Sequence, residues 1–263
     1  MFRMLKLNPP HGWNSVAWEL AIVTVGVILA LAAQQWADNL NAHSKARTAT
    51  AAIKSEVGDH YASAVEWRMV TPCMMAQIDR LQNRIMSSGD LLEPAPVYSE
   101  PAFPKFVLRV PSKEYDTSAW QAAISDGVTA YLPPQLRTEL SEHYQQVSAF
   151  VQMTQRNSIS YGSLFALSRP MPLDPGVRLT LIQLLDDLRG RVMYMDLSSG
   201  QLIEHIMRAN MVPDSRVTTE AVRLSGTRLF CAAQHLPMRS LTEAAKPIPY
   251  KYSPVPSATL PAS

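Results

Sequence analysis

The chain has 263 residues, of which 47% are hydrophobic and 17% are charged, and its formal net charge is +2. This composition excludes a disordered chain and a protein with many membrane spans. The positive charges are spread along the sequence without a Lys/Arg run that could follow a phosphate backbone, so nucleic acid is not an expected partner.

The first predicted element is a transmembrane helix over residues 16–36. Residues 20–33 are aliphatic or small except for Thr24, and Trp18 and Trp36 bracket them. The two tryptophans lie 18 residues apart, which is roughly 27 Å of helix and close to the thickness of a bilayer's hydrocarbon core. Indole rings favour the headgroup level, so both tryptophans are expected at the membrane interfaces.

The flanks of this segment predict its orientation. Residues 1–15 form a short leader with Arg3 and Lys6, and no acidic residue precedes Glu19. A purely basic leader favours a cytoplasmic N-terminus and an extracytoplasmic main domain. Trp13 is expected at the same interface as Trp18, and Glu19 is expected to reach water at the edge of the span.

Two questions about the span remain open from the sequence. A cleavable export signal is the alternative to an anchor, because the small residues Ala30 and Ala32 would suit a signal peptidase. The helical pattern continues to Trp36 without an extended cleavage site, which favours retention. Gly26 and Ala30 have the small-xxx-small spacing of helix dimers, but alanine is abundant throughout the chain, which favours a plain lipid-facing helix.

The chain contains two cysteines, Cys73 and Cys231, each within a helical pattern. If the domain is exported, an oxidising compartment favours a disulfide between them. Two separate buried thiols are the alternative.

The rest of the sequence predicts an all-α fold, in which the transmembrane helix continues into a bundle of long helices joined by proline-rich loops. Residues 37–245 form the helical extracytoplasmic domain, and residues 246–263 form a disordered or draped tail. A long helix is predicted over residues 38–86, with one face formed by Ile53, Val57, Tyr61, Ala64 and Arg68. Pro72 should interrupt it, either by a kink or by a new helix capped by Thr71.

Proline density then predicts an extended loop over residues 91–113, with a short strand at 105–110. A helix restarts at Thr117 or Ser118 and runs toward Leu132. Another follows Pro133 and Pro134 and continues past residue 161, with its buried stripe at Leu136, Leu140, Tyr144, Val147, Val151 and Thr154.

The C-terminal third begins with a strong start signal, Asp174 followed by Pro175. The helix that follows has weak points at Gly190 and Gly200. One last helix is predicted over residues 217–235, with candidate contacts at Val222, Leu224, Leu229 and Cys231.

No motif with a chemical mechanism follows the anchor, so the sequence predicts no catalytic, cofactor-binding or metal site. No two of the six histidines lie three or four residues apart, and the glycines form no phosphate-binding loop. His60, His143 and His205 each follow an acidic residue, but adjacent helical residues point about 100° apart. These side chains are expected to be solvated or satisfied individually.

Two stretches resemble a family of uncharacterised bacterial single-pass inner-membrane proteins. The first is the anchor, in which Glu19 precedes an aliphatic span with a central Gly26 and Trp36 follows it. The second begins at Ser118-Ala119-Trp120 and continues through Leu140 and Tyr144. The resemblance implies an inner-membrane protein with a periplasmic helical domain, and it implies no catalytic residue.

The favoured function is therefore a membrane-anchored periplasmic module that binds a partner protein or senses a ligand. Its expected partners are the lipid bilayer and either a second copy of the chain or another membrane protein. The alternative is a hydrolase or transferase whose site assembles from distant residues, for instance His143 or His205 with a carboxylate from another helix. An inward-facing histidine next to two acids would favour that alternative.

Overall fold

A computed structural model describes residues 13–100, 103–113 and 115–249, without the side chains of residues 13–16, 100, 103–104 and 156–161. Residues 1–12 of the predicted leader, the Trp13 side chain and residues 250–263 of the predicted tail therefore lie outside the described part. The described elements are α1 Trp13–Ser87, β1 Tyr98–Glu100, β2 Phe103–Phe106, α2 Ser118–Ser125, α3 Pro134–Leu164, α4 Pro175–Arg208, α5 Ser215–Arg223, α6 Gly226–Ala233 and α7 Leu241–Ala244, with 3₁₀ turns at Val128–Tyr131 and Phe165–Ser168. The all-α prediction is confirmed.

Helix α1 has two parts with opposite surroundings. Side chains from 17 to 41 are all exposed, and this apolar part is long enough to cross a membrane by length and composition. From Ile53 onward most side chains are buried, because α2, α4, α5, α6 and α7 all pack around the second part. The helix is 75 residues long, or about 110 Å.

Pro72 lies inside α1, and the alternative of a new helix capped by Thr71 is wrong. Proline has no N–H to donate to the carbonyl four residues earlier, so the carbonyl of Arg68 loses its helical partner. Nη1 of Arg239 donates to that oxygen at 2.8 Å, and the backbone N–H of Arg239 donates to the carbonyl of Met69 at 3.0 Å. A distant arginine thus satisfies the carbonyl that the proline leaves free, and α1 continues to Ser87.

The proline-rich segment after α1 is mostly extended, as predicted, but its strand is displaced. Instead of one strand at 105–110, the chain forms an antiparallel hairpin of β1 and β2. Tyr98 and Phe106 pair across it, and both rings pack edge-on against Phe230 of α6. The aromatic contact with α6 explains why the pairing forms before residue 107.

Helix α4 begins where the sequence predicted, because the Asp174 side chain accepts a hydrogen bond from the N–H of Val177 at 2.9 Å. It passes through Gly190 and Gly200 without interruption. The face of α4 that packs on the core includes the buried side chains Leu185, Leu188 and Val192.

The single predicted helix over 217–235 is wrong, because the chain forms α5 and α6 with a break at Ser225. The Ser225 side chain caps α6 by accepting from the N–H of Arg228. Val222 and Cys231 are buried as expected, but Leu224 and Leu229 are exposed. The chain then forms the short helix α7, within the predicted helical domain.

Beyond α7, residues 246–249 lie across α4 as a strap. The N–H of Ile248 donates to the carbonyl of Gly200 at 3.0 Å. A Cβ atom at Gly200 would lie 2.4 Å from Cγ1 of Ile248, so only glycine lets the strap approach this closely.

Replacing this glycine should therefore release the strap. The Gly200→Ala change gains about 1 kcal/mol of helix propensity, but the clash costs about 1 to 3 kcal/mol. We expect a net loss of about 1 kcal/mol in unfolding free energy and faster hydrogen exchange at the Ile248 amide. Gly190→Ala is the matched control, because a Cβ atom at Gly190 would have no neighbour within 4 Å, and it should stabilise the domain. Unchanged exchange at Ile248 in Gly200→Ala would contradict the tight contact.

Candidate functional site

Three histidines and three glutamates gather where α1, α3 and α4 meet. Because α1 is surrounded by other helices, polar side chains on several of its faces are buried, including Glu56 at 7% and His60 at 1% exposure. His143 of α3 and His205 of α4 are also buried. Of the predicted alternatives, solvated or satisfied, these three side chains are buried rather than solvated, and His60 is hydrogen-bonded at both ring nitrogens, one of them to His143.

His60 and His143 form a hydrogen-bonded pair between α1 and α3. The distance from His60 Nδ1 to His143 Nε2 is 2.9 Å, and His60 Nε2 lies 2.7 Å from the carbonyl oxygen of Asp116. A carbonyl only accepts, so His60 carries its proton on Nε2. In the neutral pair His60 Nδ1 must then accept, and His143 Nε2 must donate.

This tautomer leaves a bare lone pair on Nδ1 of His143. That atom is buried and has no hydrogen-bond partner among the described residues. Burial lowers the pKa of His143 well below its usual value, and the charges of His60 and His205 act in the same direction. Burial also lowers the pKa of His60, although its hydrogen bond to Asp116 and the charges of Glu56, Asp59 and Asp116 oppose this. Both rings are therefore neutral near pH 7.

Glu56 connects this pair to the start of α2. Its carboxylate accepts from the Tyr144 hydroxyl and from the backbone N–H of Ala119, the latter at 2.8 Å. Burial, followed by the bond to Glu56, raises the pKa of Tyr144. The Trp120 ring stacks on the Tyr144 ring with centroids 5.0 Å apart. Since the α2 cap residue Thr117 makes no side-chain capping bond, Glu56 supplies a negative charge at this helix start.

A second cluster lies on the outer side of α3 and α4. Glu139 and Glu142 are one turn apart on α3, and His205 and Arg208 are one turn apart on α4. Nδ1 of His205 lies 3.6 Å from Oε2 of Glu139 and 3.5 Å from Oε2 of Glu142. Nε of Arg208 lies 3.1 Å from the same Glu139 oxygen. The donor atoms of the two glutamates and the histidine all lie within 4.8 Å of one another.

Two surface grooves border these clusters. One, of about 590 Å³, is lined by Glu56, Asp59 and His60. The other, of about 680 Å³, is lined by Glu142, His205 and Arg208. His60 of the buried His60–His143 pair lines the first groove. The second cluster, called the outer cluster below, lines the second groove through Glu142, His205 and Arg208.

The disulfide and anchor residues predicted from the sequence lie away from both histidine clusters. Cys73 of α1 and Cys231 of α6 form a disulfide. Trp18 and Trp36 are each 69% exposed at the two ends of the apolar part of α1, and Glu19, Gly26 and Ala30 are exposed between them. None of these residues contacts the histidine clusters within the described part of the chain.

Sequence reasoning named His143 and His205 for the alternative function but could not assemble the site, because these residues come together only in three dimensions. His60 and His143 are 83 residues apart, and His205 meets carboxylates of another helix. The signal that could have found them was the one named for the alternative function, an inward-facing histidine beside two acids. His205 with Glu139 and Glu142 has that arrangement.

Fold and site together define an all-α bundle with a long apolar helical extension and a buried histidine–glutamate cluster. Comparisons with protein-family models, curated proteins and solved structures gave no match to this chain.

Proposed function

We propose that this chain is a membrane-anchored helical module that binds a ligand or a partner outside the cytoplasm, at the inner membrane of a bacterium. The observation that carries the proposal is the continuity of α1. The exposed apolar part from Trp18 to Trp36 and the buried segment with Glu56 and His60 belong to one unbroken helix. A conformational change at Glu56 and His60 would therefore act directly on the helix that enters the membrane.

The surroundings of the apolar part support an anchor. Leu20, Ile28 and Leu31 are all more than half exposed, and the described part of the chain does not cover them. Apolar surface of this extent is costly in water at about 25 cal/mol per Å², and a lipid bilayer removes that cost.

The disulfide supports a location outside the cytoplasm. Cys73 and Cys231 are bridged and fully buried. Such bonds persist in oxidising compartments and are rare in the cytosol. The basic leader supports the same orientation.

Cell fractionation tests the anchor and its orientation. We expect the chain in the membrane fraction after alkaline extraction, with its main domain cleaved by protease added to spheroplasts but not to intact cells. A Val25→Arg/Leu29→Arg variant is the control, because each central arginine costs about 3 kcal/mol of insertion free energy. Recovery of a soluble wild-type chain, trimmed just after the apolar part, would contradict the anchor. Crosslinking in mild detergent tests the partner, and recovery of monomer alone would contradict an interaction role.

A second candidate function is a hydrolase or transferase. It is favoured by His205 beside Glu139 and Glu142, next to a groove of about 680 Å³. An imidazole between two carboxylates can act as a general base. Hydrolysis of a chromogenic ester by the wild-type chain and not by His205→Asn would support it, and equal background rates would contradict it.

A further inference from the structure

The outer cluster of Glu139, Glu142 and His205 has the composition and spacing of a metal site. We propose that these three residues bind a first-row divalent transition-metal ion, and that Zn²⁺ is the ion that suits them best. This inference rests on the proposed function and deepens it, because it names the class of ligand.

The donor atoms fit zinc chemistry. Zn²⁺ binds imidazole nitrogen and carboxylate oxygen at about 2.0 to 2.2 Å, with tetrahedral geometry. Two ligands of such a tetrahedron are about 3.3 to 3.6 Å apart. Nδ1 of His205 lies 3.5 Å from Glu142 and 3.6 Å from Glu139, measured to Oε2 of each. These two separations match the edges of such a tetrahedron, and all three donor atoms lie within 4.8 Å of one another, so side-chain movements would bring them around one ion.

Imidazole also discriminates among cations. Mg²⁺ and Ca²⁺ prefer shells of six or more oxygens, whereas a site with one nitrogen and two oxygens suits the first-row transition metals. Three protein ligands leave the fourth position open. The groove beside Glu142 and His205 gives water or a small molecule access to that position.

The Arg208 guanidinium contacts all three donor atoms, at the position where a metal ion would bind. Nη2 of Arg208 lies 2.7 Å from Nδ1 of His205, and since a guanidinium only donates, that nitrogen presents its lone pair to the cluster. The same atom lies 3.4 Å from Oε2 of Glu142. One guanidinium opposite two carboxylates leaves a net negative charge, which a divalent ion would neutralise.

Two observations indicate that a metal ion can displace the Arg208 guanidinium. Oε2 of Glu139 is buried and accepts no hydrogen bond from any described residue, although Nε of Arg208 lies 3.1 Å away. The guanidinium therefore contacts this oxygen without aiming an N–H at it. The Arg208 side chain is also 42% exposed, so it can turn toward solvent when an ion enters.

The test is a Zn²⁺ titration of the full chain in detergent micelles at about pH 7.5, because metal binding competes with protons for its ligands and weakens in acid. We expect one saturable site that excess Mg²⁺ or Ca²⁺ does not displace. Glu142→Gln and His205→Asn should each weaken Zn²⁺ binding at least about tenfold. Arg208→Gln should strengthen binding about tenfold, because it removes the competing charge.

Glu220→Gln and Arg223→Gln are matched controls, because these residues form an exposed ion pair on α5; they should leave Zn²⁺ affinity unchanged. If the cluster is only an ion-pair network, Arg208→Gln will not raise affinity and Glu142→Gln will not lower it. Either result, or a lack of saturable binding in both the wild type and Arg208→Gln, overturns the proposal. Glu142 is half exposed, so its variant remains informative if His205→Asn fails to fold.

The titration in micelles does not depend on cellular location. Loss of Zn²⁺ binding with intact membrane extraction would overturn the metal site alone. A soluble, trimmed chain that still binds Zn²⁺ would overturn the anchored function alone.

Discussion

Removing the disulfide should cost this domain more stability than any other change considered for it. Cys73 and Cys231 are separated by 158 residues, and in the chain-entropy description a loop of that length stabilises the fold by about 5 kcal/mol. Whole domains are stable by only about 5 to 15 kcal/mol. We expect Cys73→Ala/Cys231→Ala to lose about 5 kcal/mol in unfolding free energy, measured by urea titration with circular dichroism in detergent.

Reduction provides the matched control for this variant. A reductant should lower the urea midpoint of the wild type and leave the midpoint of the double variant unchanged, because the variant has no bond to break. Equal midpoints for oxidised and reduced wild type would show that the bond contributes nothing. Because α6 is held to α1 through this bond, a large effect would support the proposed location in an oxidising compartment.

The features that could be predicted from the sequence are those that depend only on residues close together along the chain. Asp174 and Pro175 start α4 because a cap acts on the first turn of its own helix. The stripe of Ile53, Val57 and Ala64 is buried because helical periodicity repeats locally. The all-α class follows from such signals.

The features that sequence reasoning missed depend on distant partners. The break between α5 and α6 occurs at Ser225, whose hydroxyl also donates to Glu66 of α1, 159 residues away. Pro72 is accommodated because Arg239 donates to the carbonyl of Arg68. Neither contact leaves a local pattern in the sequence.

The candidate site was missed for the same reason. Glu139 and Glu142 have the three-residue spacing of a ligand pair on one helix, but His205 belongs to α4, and no local pattern connects it to them. His60 and His143 are both buried because α1 is enclosed by its neighbours, and an amphipathic stripe cannot predict burial on more than one face.

Mild acid should destabilise the domain through the His60–His143 pair. Burial lowers the pKa of both rings in the fold, while an unfolded chain has histidines near 6.5. Below about pH 6.5 the unfolded state therefore binds more protons than the folded state, so stability is greatest above that pH and decreases as the pH falls. Each histidine contributes a slope of at most about 1.4 kcal/mol per pH unit.

The geometry explains why the folded pair resists protonation. If His60 Nδ1 gains a proton, it must donate to His143 Nε2, and His143 must then carry its own proton on the buried, unpartnered Nδ1. A second proton would bring two positive rings together at a centroid distance of 5.2 Å. Glu56, Asp59 and Asp116 attract the charge on His60, but desolvation is the larger effect.

Urea unfolding between about pH 7.5 and pH 5.5 measures this effect. His143→Gln keeps an N–H donor for His60 and removes one titrating ring, so the pH slope should fall by about half. His43→Gln is the matched control, because His43 is exposed on α1, and it should leave the slope unchanged. A wild-type unfolding free energy that stays constant over this range would contradict neutral buried histidines and the tautomers assigned to them.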